Sequence, residues 1–290
     1  MARGQYRILA LDVDGTLLDP GGALRPRTAD AIARAARAGI RPILCTGRRY
    51  RRARPIAALL ALNAPIVCNS GAIVKDPCDD RTLWRLDFDP LLQDELLDLF
   101  VQNKQPIVAF TDGAARDPDF IVPGFPTGKT LFDEYVARNR EHAELDSDWT
   151  TNLRELDGPG LRHPLFHICG IGSRSEMLAF QQVVLNHLRG RVQTFVQRSP
   201  RYSGTMCEVL RHDASKWAAV LYLARLWGVS PSEICAVGDD VNDVPMIRNA
   251  GLGVAMGHAP EDVLAAADHI TGDHHQEGVA MLVDEVLLAG

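Results

Sequence analysis

Short, continuous apolar runs alternate with helical segments at both ends of the chain, and this alternation constrains the fold more than any other feature. Apolar runs at 7–12, 41–46 and 64–68 are separated by helix-like stretches at 28–38 and 51–62. Strands without a polar alternation are typical of a parallel sheet that is covered on both faces. Strands and helices in this order predict βαβ units and an α/β fold with a doubly wound parallel sheet.

The middle of the chain has a looser pattern. From about Leu83 to Arg211, apolar strands recur around a strong helix candidate at 173–188. After Arg211 the first pattern returns, with a predicted helix at 215–227 whose apolar residues share one face. We therefore predict a core domain in two parts, residues 1–84 and 212–290, interrupted by an inserted α+β domain at 85–211.

Composition and charge exclude several classes of protein. The net charge of −6 disfavours a broad basic surface for nucleic acid. No apolar run approaches the ~18 residues that a membrane span needs, and Asp12 and Asp14 stand where a secretory apolar segment would lie. The six cysteines form no CxxC pair, which favours reduced thiols. We expect a cytoplasmic protein without nucleic-acid or membrane partners; the oligomeric state is unknown.

Two carboxylates stand at the end of the first predicted strand, in Asp12-Val-Asp14-Gly-Thr16. Residues two apart on a strand project to the same side, and sites form at the carboxyl ends of parallel strands. Gly15 permits a sharp turn, and Thr16 can cap the segment after it. Taken alone, the motif is also compatible with an Asx-turn. A calcium loop is disfavoured, because such a loop needs glycine at its sixth position rather than its fourth.

Two further groups suit a phosphate. Thr46-Gly47-Arg48 combines a hydroxyl, an accessible amide and a guanidinium, although a plain turn explains this motif alone equally well. Lys216 begins an otherwise apolar helix in a chain with only four lysines among its 31 basic residues. A point charge at that position indicates either a selected ligand for an anion or a solvated helix residue.

A cluster of acids comes directly after the predicted strand at 234–237. Asp239, Asp240 and Asp243 lie within five residues, so their mutual repulsion calls for a compensating positive charge. Because the possible ligand atoms are all oxygen, Mg²⁺ is the favoured ion. A solvated acidic loop is the alternative interpretation, but strand-end acids often build functional sites.

The order of acid pair, threonine, lysine and acid cluster resembles the haloacid dehalogenase-like hydrolases, and within them the Cof-like phosphatases. The resemblance covers residues 7–75 and 208–285 and includes Asn69-Ser-Gly-Ala72. It implies a Rossmann-like core with the middle segment as a cap. It also implies a Mg²⁺-dependent phosphatase that hydrolyses small phosphorylated metabolites, chiefly sugar phosphates, through an aspartyl-phosphate. A cap that closes over a site excludes macromolecular substrates.

The resemblance further implies a role for each site residue. Asp12 is the expected nucleophile and Asp14 the expected general acid and base. The expected metal ligands are the Asp12 carboxylate, the Asp14 backbone carbonyl and Asp239, with Asp243 in support or as an added ligand. The phosphate is expected to be held by Lys216, Thr46, Gly47 and Asn242, and the Thr46-Gly47-Arg48 motif adds Arg48 to this group.

Other functions remain open at this point. A phosphotransferase or mutase would use the same residues, and a non-catalytic phosphate-sensing protein would retain them as a relic. A carbon–halogen hydrolase fits Asp14 and the acid cluster less well. The segment Gly124–Thr130 nearly matches a P-loop, but it has three residues between its glycines instead of four, and Pro126 lacks an amide hydrogen. His274 and His275 have no third metal ligand at a suitable spacing.

Overall fold

The computed structural model describes residues 5–19, 21–113, 118–154, 164–198 and 203–289. The chain divides into two compact units: a core unit of Met1–Trp84 and Ser215–Gly290, and an inserted unit of Arg85–Ala214. The strands are β1 (Ile8–Leu11), β2 (Arg41–Leu44), β3 (Ile66–Cys68), β4 (Ile73–Lys75), β5 (Thr82–Arg85), β6 (Val108–Phe110), β7 (Phe120–Pro123), β8 (Ala143–Asp146), β9 (His167–Gly172), β10 (Val192–Arg198), β11 (Thr205–Arg211), β12 (Ile234–Gly238), β13 (Leu252–Met256) and β14 (His269–Thr271). The helices are α1 (Pro26–Arg37), α2 (Tyr50–Leu59), α3 (Pro90–Gln102), α4 (Thr130–Arg138), α5 (Trp149–Asn152), α6 (Arg174–His187), α7 (Lys216–Leu226), α8 (Val244–Asn249), α9 (Glu261–Leu264) and α10 (Gly278–Leu282).

A five-stranded parallel sheet forms the centre of the core unit, in the order β14-β13-β12-β1-β2. Its register pairs Leu11 at the end of β1 with Leu44 on one side and Val237 on the other. β1 is fully buried, as the continuous apolar run predicts. Because these three strands end at the same level, the residues directly after them meet at one edge of the sheet.

The third apolar run differs from the predicted βαβ pattern. β3 forms a strand but pairs antiparallel with β4 in a separate three-stranded sheet, and an isolated parallel bridge between Cys45 and Val67 connects it to the end of β2. The reason is local: Asn69, Ser70 and Gly71 all have positive φ angles (50°, 53° and 93°). Three successive left-handed residues turn the chain back at once, so no crossover helix comes after β3.

The helices begin and end close to their predicted bounds. α1 begins at Pro26, two residues earlier than predicted, because proline lacks only an amide hydrogen that the first helical turn leaves unpaired. α6 matches the predicted helix at 173–188: Ser173 is its N-cap, and a capping box joins Ser173 to Glu176. α7 matches the predicted helix at 215–227 and has Ser215 as its N-cap.

The inserted unit contains a six-stranded sheet in the order β10-β11-β9-β6-β7-β8. Its pairs are antiparallel except for β7 and β8, which are parallel. One sheet face packs against α3 and α6 in an apolar core that includes Leu96, Phe100, Ile168, Met177 and Val209. The expected fold class, a doubly wound parallel sheet with a separate α+β domain, is confirmed.

The helices and the thiols have the following properties in the described part of the chain. Across the described ranges, none of the helices is both long and apolar enough to span a bilayer. All six cysteines are free, and five are buried, with Cys78 exposed. Burial raises the pKa of thiols such as Cys235, so these side chains behave as small apolar residues rather than as nucleophiles.

Candidate active site

Asp12, Lys216 and Asp243 form a buried cluster where β1 and β12 end and α7 begins. Lys216 Nζ donates to Asp12 Oδ1 at 2.6 Å and to Asp243 Oδ1 at 2.5 Å. The Lys216 side chain is only 1% exposed, so it is a ligand for carboxylates rather than a solvated helix residue. The register of β1 and β12 brings Asp12 and Asp243 to one sheet edge, and the start of α7 places Lys216 beside them, 204 residues after Asp12.

Burial and charge shift the pKa values of this cluster. Burial raises the pKa of Asp12 well above its usual range; the Lys216 ammonium opposes that shift, and the Asp243 and Asp239 carboxylates add to it. Burial also raises the pKa of Asp243, again against Lys216. For Lys216 itself, burial lowers the pKa, but its two carboxylate partners outweigh burial and hold the pKa above its ordinary value. The cluster therefore keeps a fixed cation between anions that would otherwise repel each other.

Three carboxylates are grouped closely enough to share a cation. Oxygen atoms of Asp12, Asp239 and Asp243 lie within 4.8 Å of one another. Thr16 Oγ1 donates to Asp239 Oδ1 at 2.9 Å and so orients that carboxylate. Gly15 has a φ of +85°, and a Cβ there would lie 2.2 Å from Asp239 Oδ2, so only glycine allows this approach. The donor set is all oxygen and crowded with negative charge, which fits Mg²⁺.

The acidic loop after β12 is held by its own carboxylate. Asp243 Oδ2 accepts the backbone amides of Asp239 and Asp240 at 3.0 and 3.1 Å. Asp243 thus shapes the loop with one oxygen and binds Lys216 with the other. Asp240 Oδ1 accepts the backbone amide of the neighbouring Val241 at 2.7 Å, and Asp240 stays outside the group of three carboxylates.

Asp14 and Arg48 form a bidentate ion pair. Arg48 Nε and Nη2 donate to the two Asp14 oxygens at 2.6 and 2.5 Å, and the side chains are 11% and 32% exposed. The Thr46-Gly47-Arg48 motif predicted that Arg48 binds phosphate, but here its guanidinium contacts the expected general acid instead. The Asp14 side chain is not part of the group of three carboxylates. Its expected contribution to the metal, through the backbone carbonyl, stays a prediction.

The expected phosphate-binding residues lie at the ends of the neighbouring strands. Thr46 comes just after β2 and is buried, its hydroxyl accepts the Arg48 amide at 3.1 Å, and Gly47 lies between them. Asn242 is buried in the acidic loop, and its Nδ2 donates to Ser70 Oγ at 3.3 Å. Thr46 and Asn242 therefore reach the same sheet edge as Asp12, which is the arrangement that the strand-end motifs predict.

Two neighbours of the site were missed by the sequence analysis. Ser70 binds Asn242 from the turn after β3. His258, two residues after β13, places its Nε2 3.6 Å from Asp239 Oδ2, and its ring packs edge-on against His274. The interaction with Asp239 raises the pKa of His258. The strand-end rule could have identified His258, because it comes just after a buried parallel strand. Ser70 lies in a segment that the resemblance includes, but no role in the site was assigned to it.

The P-loop-like segment and the pair of histidines do not form a phosphate or metal site among the described residues. In the P-loop-like segment, the hydroxyl and amide of Thr127 both donate to Asp133 Oδ1, at 2.8 and 3.2 Å. A carboxylate of the chain thus uses donors that a phosphate would need. His274 and His275 pack against each other, but neither joins a group of three metal-ligating side chains in the described part of the chain.

Comparison with known proteins decides the family. Residues 9–283 match the family model of haloacid dehalogenase-like hydrolases. The chain belongs to the haloacid dehalogenase-like hydrolases. The resemblance drawn from the sequence is therefore confirmed, and so is the expectation of a hydrolase. The matched residues span both parts of the core unit and the whole inserted unit.

Curated relatives of this hydrolase align along nearly its full length. The pyridoxal phosphate phosphatase YbhA of Escherichia coli K12 is 28% identical over 289 residues, covering 96% of this chain and 97% of its own. The 5-amino-6-(5-phospho-D-ribitylamino)uracil phosphatase YwtE of Bacillus subtilis 168 is 25% identical, with coverages of 97% and 98%. A solved haloacid dehalogenase-like hydrolase from Bacteroides thetaiotaomicron has the same fold, with a TM-score of 0.76, 22% identity and coverages of 97% and 99%.

Proposed function

We propose that this hydrolase is a cytoplasmic, Mg²⁺-dependent phosphatase of small phosphorylated metabolites, sugar phosphates in particular, which acts through an aspartyl-phosphate on Asp12. The observation that carries the proposal is the buried Asp12 carboxylate. It is held by Lys216 and lies within 4.8 Å of the carboxylate oxygens of Asp239 and Asp243. Two relatives named for phosphatase activity on phosphorylated small molecules support the substrate class. The free cysteines support the cytoplasmic location.

Each residue has a defined task in the proposed reaction. An oxygen of Asp12 attacks phosphorus, and the bond from phosphorus to the leaving oxygen breaks as Asp14 donates its proton to that oxygen. Asp14 then accepts a proton from water, the water oxygen attacks phosphorus, and Asp12 is released with inorganic phosphate. Lys216, Thr46 and Asn242 hold the phosphoryl oxygens, which carry negative charge throughout.

A divalent ion has a clear purpose in this site. Asp12, Asp239 and Asp243 would hold Mg²⁺, which when bound neutralises phosphoryl charge so that an anionic nucleophile and an anionic substrate can meet. Lys216 supplies one positive charge, which cannot by itself balance the three carboxylates and the phosphoryl group. The crowding of carboxylates around Asp12 is thus useful to a phosphatase and costly to a protein with no cation to bind.

A substrate screen tests the proposed activity directly. We expect the purified protein with Mg²⁺ to release phosphate from a panel that includes sugar phosphates, a polyol phosphate and pyridoxal phosphate, with kcat/KM measured for each. Adding a second hydroxyl compound as acceptor separates hydrolysis from phosphoryl transfer, because transfer yields a new phosphate ester instead of inorganic phosphate. No turnover on the panel or on an aryl phosphate would contradict the proposal and favour a phosphate-sensing protein.

Replacing Asp239 with asparagine is expected to weaken metal binding. The variant should need at least about tenfold more Mg²⁺ for half-maximal activity, since one of three carboxylates loses its charge. The rise in melting temperature on adding Mg²⁺ should shrink as well, a readout that does not depend on turnover. Asp240→Asn is the matched control, because Asp240 lies in the same loop outside the group of three carboxylates. Equal Mg²⁺ titrations for both variants would count against Asp239 as a ligand.

Replacing Asp14 with asparagine is expected to affect leaving groups unequally. For an alkyl phosphate, kcat should fall by roughly 10²- to 10⁴-fold, because the leaving oxygen receives no proton. An aryl phosphate with an acidic leaving group should still phosphorylate Asp12 and release one equivalent of phenol, since such a leaving group needs no proton. The aspartyl-phosphate should then accumulate and be visible by intact-protein mass. Equal losses for both substrates, without a covalent adduct, would show that Asp14 is not the acid.

A further inference from the structure

We propose that Ser70 is a positioning residue for the phosphate-binding part of this site. It holds Asn242 through its hydroxyl and one end of the 46–48 loop through its main-chain amide, which donates to the Thr46 carbonyl. The inference rests on the proposed phosphatase function, and Ser70 is proposed to act through Asn242 and not directly on the substrate. Ser70 lies in a tight turn after β3, here named the 69–71 turn (Asn69–Gly71).

The 69–71 turn has an unfavourable conformation for its residue types. Asn69 and Ser70 have φ angles of 50° and 53°, a left-handed region that side chains other than glycine rarely adopt. Both residues are buried, Ser70 completely. Strained backbone of this kind persists only where surrounding contacts hold it, and it is concentrated at functional sites. A hairpin between β3 and β4 alone could use glycine or asparagine at position 70 and has no need of a buried hydroxyl.

The hydrogen bonds of the turn lead to two groups on the phosphate side of the site. The amide of Ser70 donates to the Thr46 carbonyl at 3.1 Å, and the amide of Asn69 donates to the Arg48 carbonyl at 3.0 Å. These two bonds hold both ends of the 46–48 loop. The Ser70 hydroxyl accepts Asn242 Nδ2 at 3.3 Å, which orients the Asn242 amide group.

Packing connects the same turn to the start of α7. A Cβ on Gly71 would lie 2.1 Å from the carbonyl carbon of Ser215 and 2.3 Å from the amide nitrogen of Lys216. The turn therefore touches the backbone at the very residue whose ammonium binds Asp12 and Asp243. Three groups expected to contact phosphate, from three separate chain segments, thus share one neighbour. The 69–71 turn sets their mutual distances, and the Ser70 hydroxyl sets the orientation of one of them.

Ser70→Ala tests the hydroxyl. We expect KM for the best substrate and Ki for inorganic phosphate to rise together by about three- to tenfold, the range that one lost buried hydrogen bond represents. The kcat should change less than KM, because the hydroxyl binds Asn242, a group proposed to hold phosphate and not to take part in bond making or proton transfer. A hydroxyl that only supports the hairpin would lower the melting temperature without moving Ki, and that result would overturn the proposal.

Ser70→Gly separates binding from folding. Glycine adopts the left-handed conformation without strain, so this variant should fold even if Ser70→Ala proves unstable. It should nevertheless show the same rise in Ki, since it also lacks the hydroxyl. Thr271→Val is the matched control: it removes another buried hydroxyl of the core unit, which donates to the Gly278 carbonyl at 2.7 Å, and Ki should stay at the wild-type value. A wild-type Ki in Ser70→Gly would overturn the proposal.

A double-mutant cycle with Asn242→Ala gives the decisive comparison. If Ser70 acts through Asn242, adding Ser70→Ala to Asn242→Ala should cause no further rise in Ki. Fully additive effects would overturn the proposed route. Failure of this inference can be distinguished from failure of the proposed function. Absence of phosphatase activity in the wild type refutes the function. An active wild type together with a Ser70→Ala variant of unchanged Ki refutes only this inference.

Discussion

Asp12→Asn is expected to lower kcat by roughly 10⁴-fold or more, because an amide oxygen cannot form the aspartyl-phosphate and the enzyme loses its covalent route. The substitution is nearly isosteric, so the loss cannot be attributed to a cavity. Release of phosphate from an aryl phosphate with saturating Mg²⁺ measures it. Mass spectrometry of quenched enzyme should detect a phosphorylated protein in the wild type and none in the variant.

The stability of Asp12→Asn provides its own control. Burial disfavours the Asp12 carboxylate, as its raised pKa shows, and Lys216 keeps Asp243 as a partner in the variant. The melting temperature should therefore stay close to that of the wild type. Asp240→Asn removes an acid from the same edge and should retain its activity. A folded Asp12→Asn protein with wild-type kcat would disprove the nucleophile assignment.

Lys216→Met should cause the second large effect, on both activity and stability. Two buried carboxylates, Asp12 and Asp243, would lose the cation that contacts both at 2.6 and 2.5 Å. Removing one partner from a buried ion pair costs about 3–5 kcal/mol of unfolding free energy. The kcat should also fall by about 10²- to 10³-fold, since a charge that stabilises the transferring oxygens is gone. Denaturant unfolding and aryl-phosphate turnover measure the two effects.

The direction of the pKa shifts determines how the stability of Lys216→Met depends on pH. Without the ammonium, burial and mutual repulsion raise the pKa values of Asp12 and Asp243 further above their ordinary value near 3.8. Raised carboxylate pKa values add stability at low pH, and that stability is lost as the pH rises through the raised values. The variant should thus lose stability relative to the wild type from about pH 4 upward. Lys129→Met, at an exposed lysine of the inserted unit, should show no such loss.

Much of the site was predictable because its motifs are local. Asp12 and Asp14 stand at the end of one strand, and Asp239 and Asp243 at the end of another, so the strand-end rule identifies both groups without knowledge of the fold. The capped start of α6 was predictable for the same reason, since Ser173 and Glu176 are three residues apart. The turn after β3 was not predicted: the apolar run at 64–68 indicated a strand, but neither the left-handed series at 69–71 nor the separate sheet of β3.

Contacts between distant segments could not be derived from local pattern. Arg48 looked like a phosphate ligand because of its neighbours Thr46 and Gly47, yet its guanidinium forms a bidentate pair with Asp14, 34 residues away in the chain. The segment of Ser70 was part of the family resemblance, but its contact with Asn242 could not be predicted, because Asn242 lies 172 residues further along. Motif reasoning identifies which side chains can do the chemistry and does not show which of them bind each other.

The sequence by itself determined the class of fold, the family and the residue types available at one sheet edge, since these depend on apolar periodicity and on short motifs within single segments. Only the tertiary structure decided that Lys216 lies between Asp12 and Asp243, that Arg48 pairs with Asp14, and that Ser70 supports Asn242. The physical reason is that hydrogen bonds and ion pairs depend on distances of a few ångströms. Such distances between remote segments are set by strand register and close packing, which no local stretch of sequence contains.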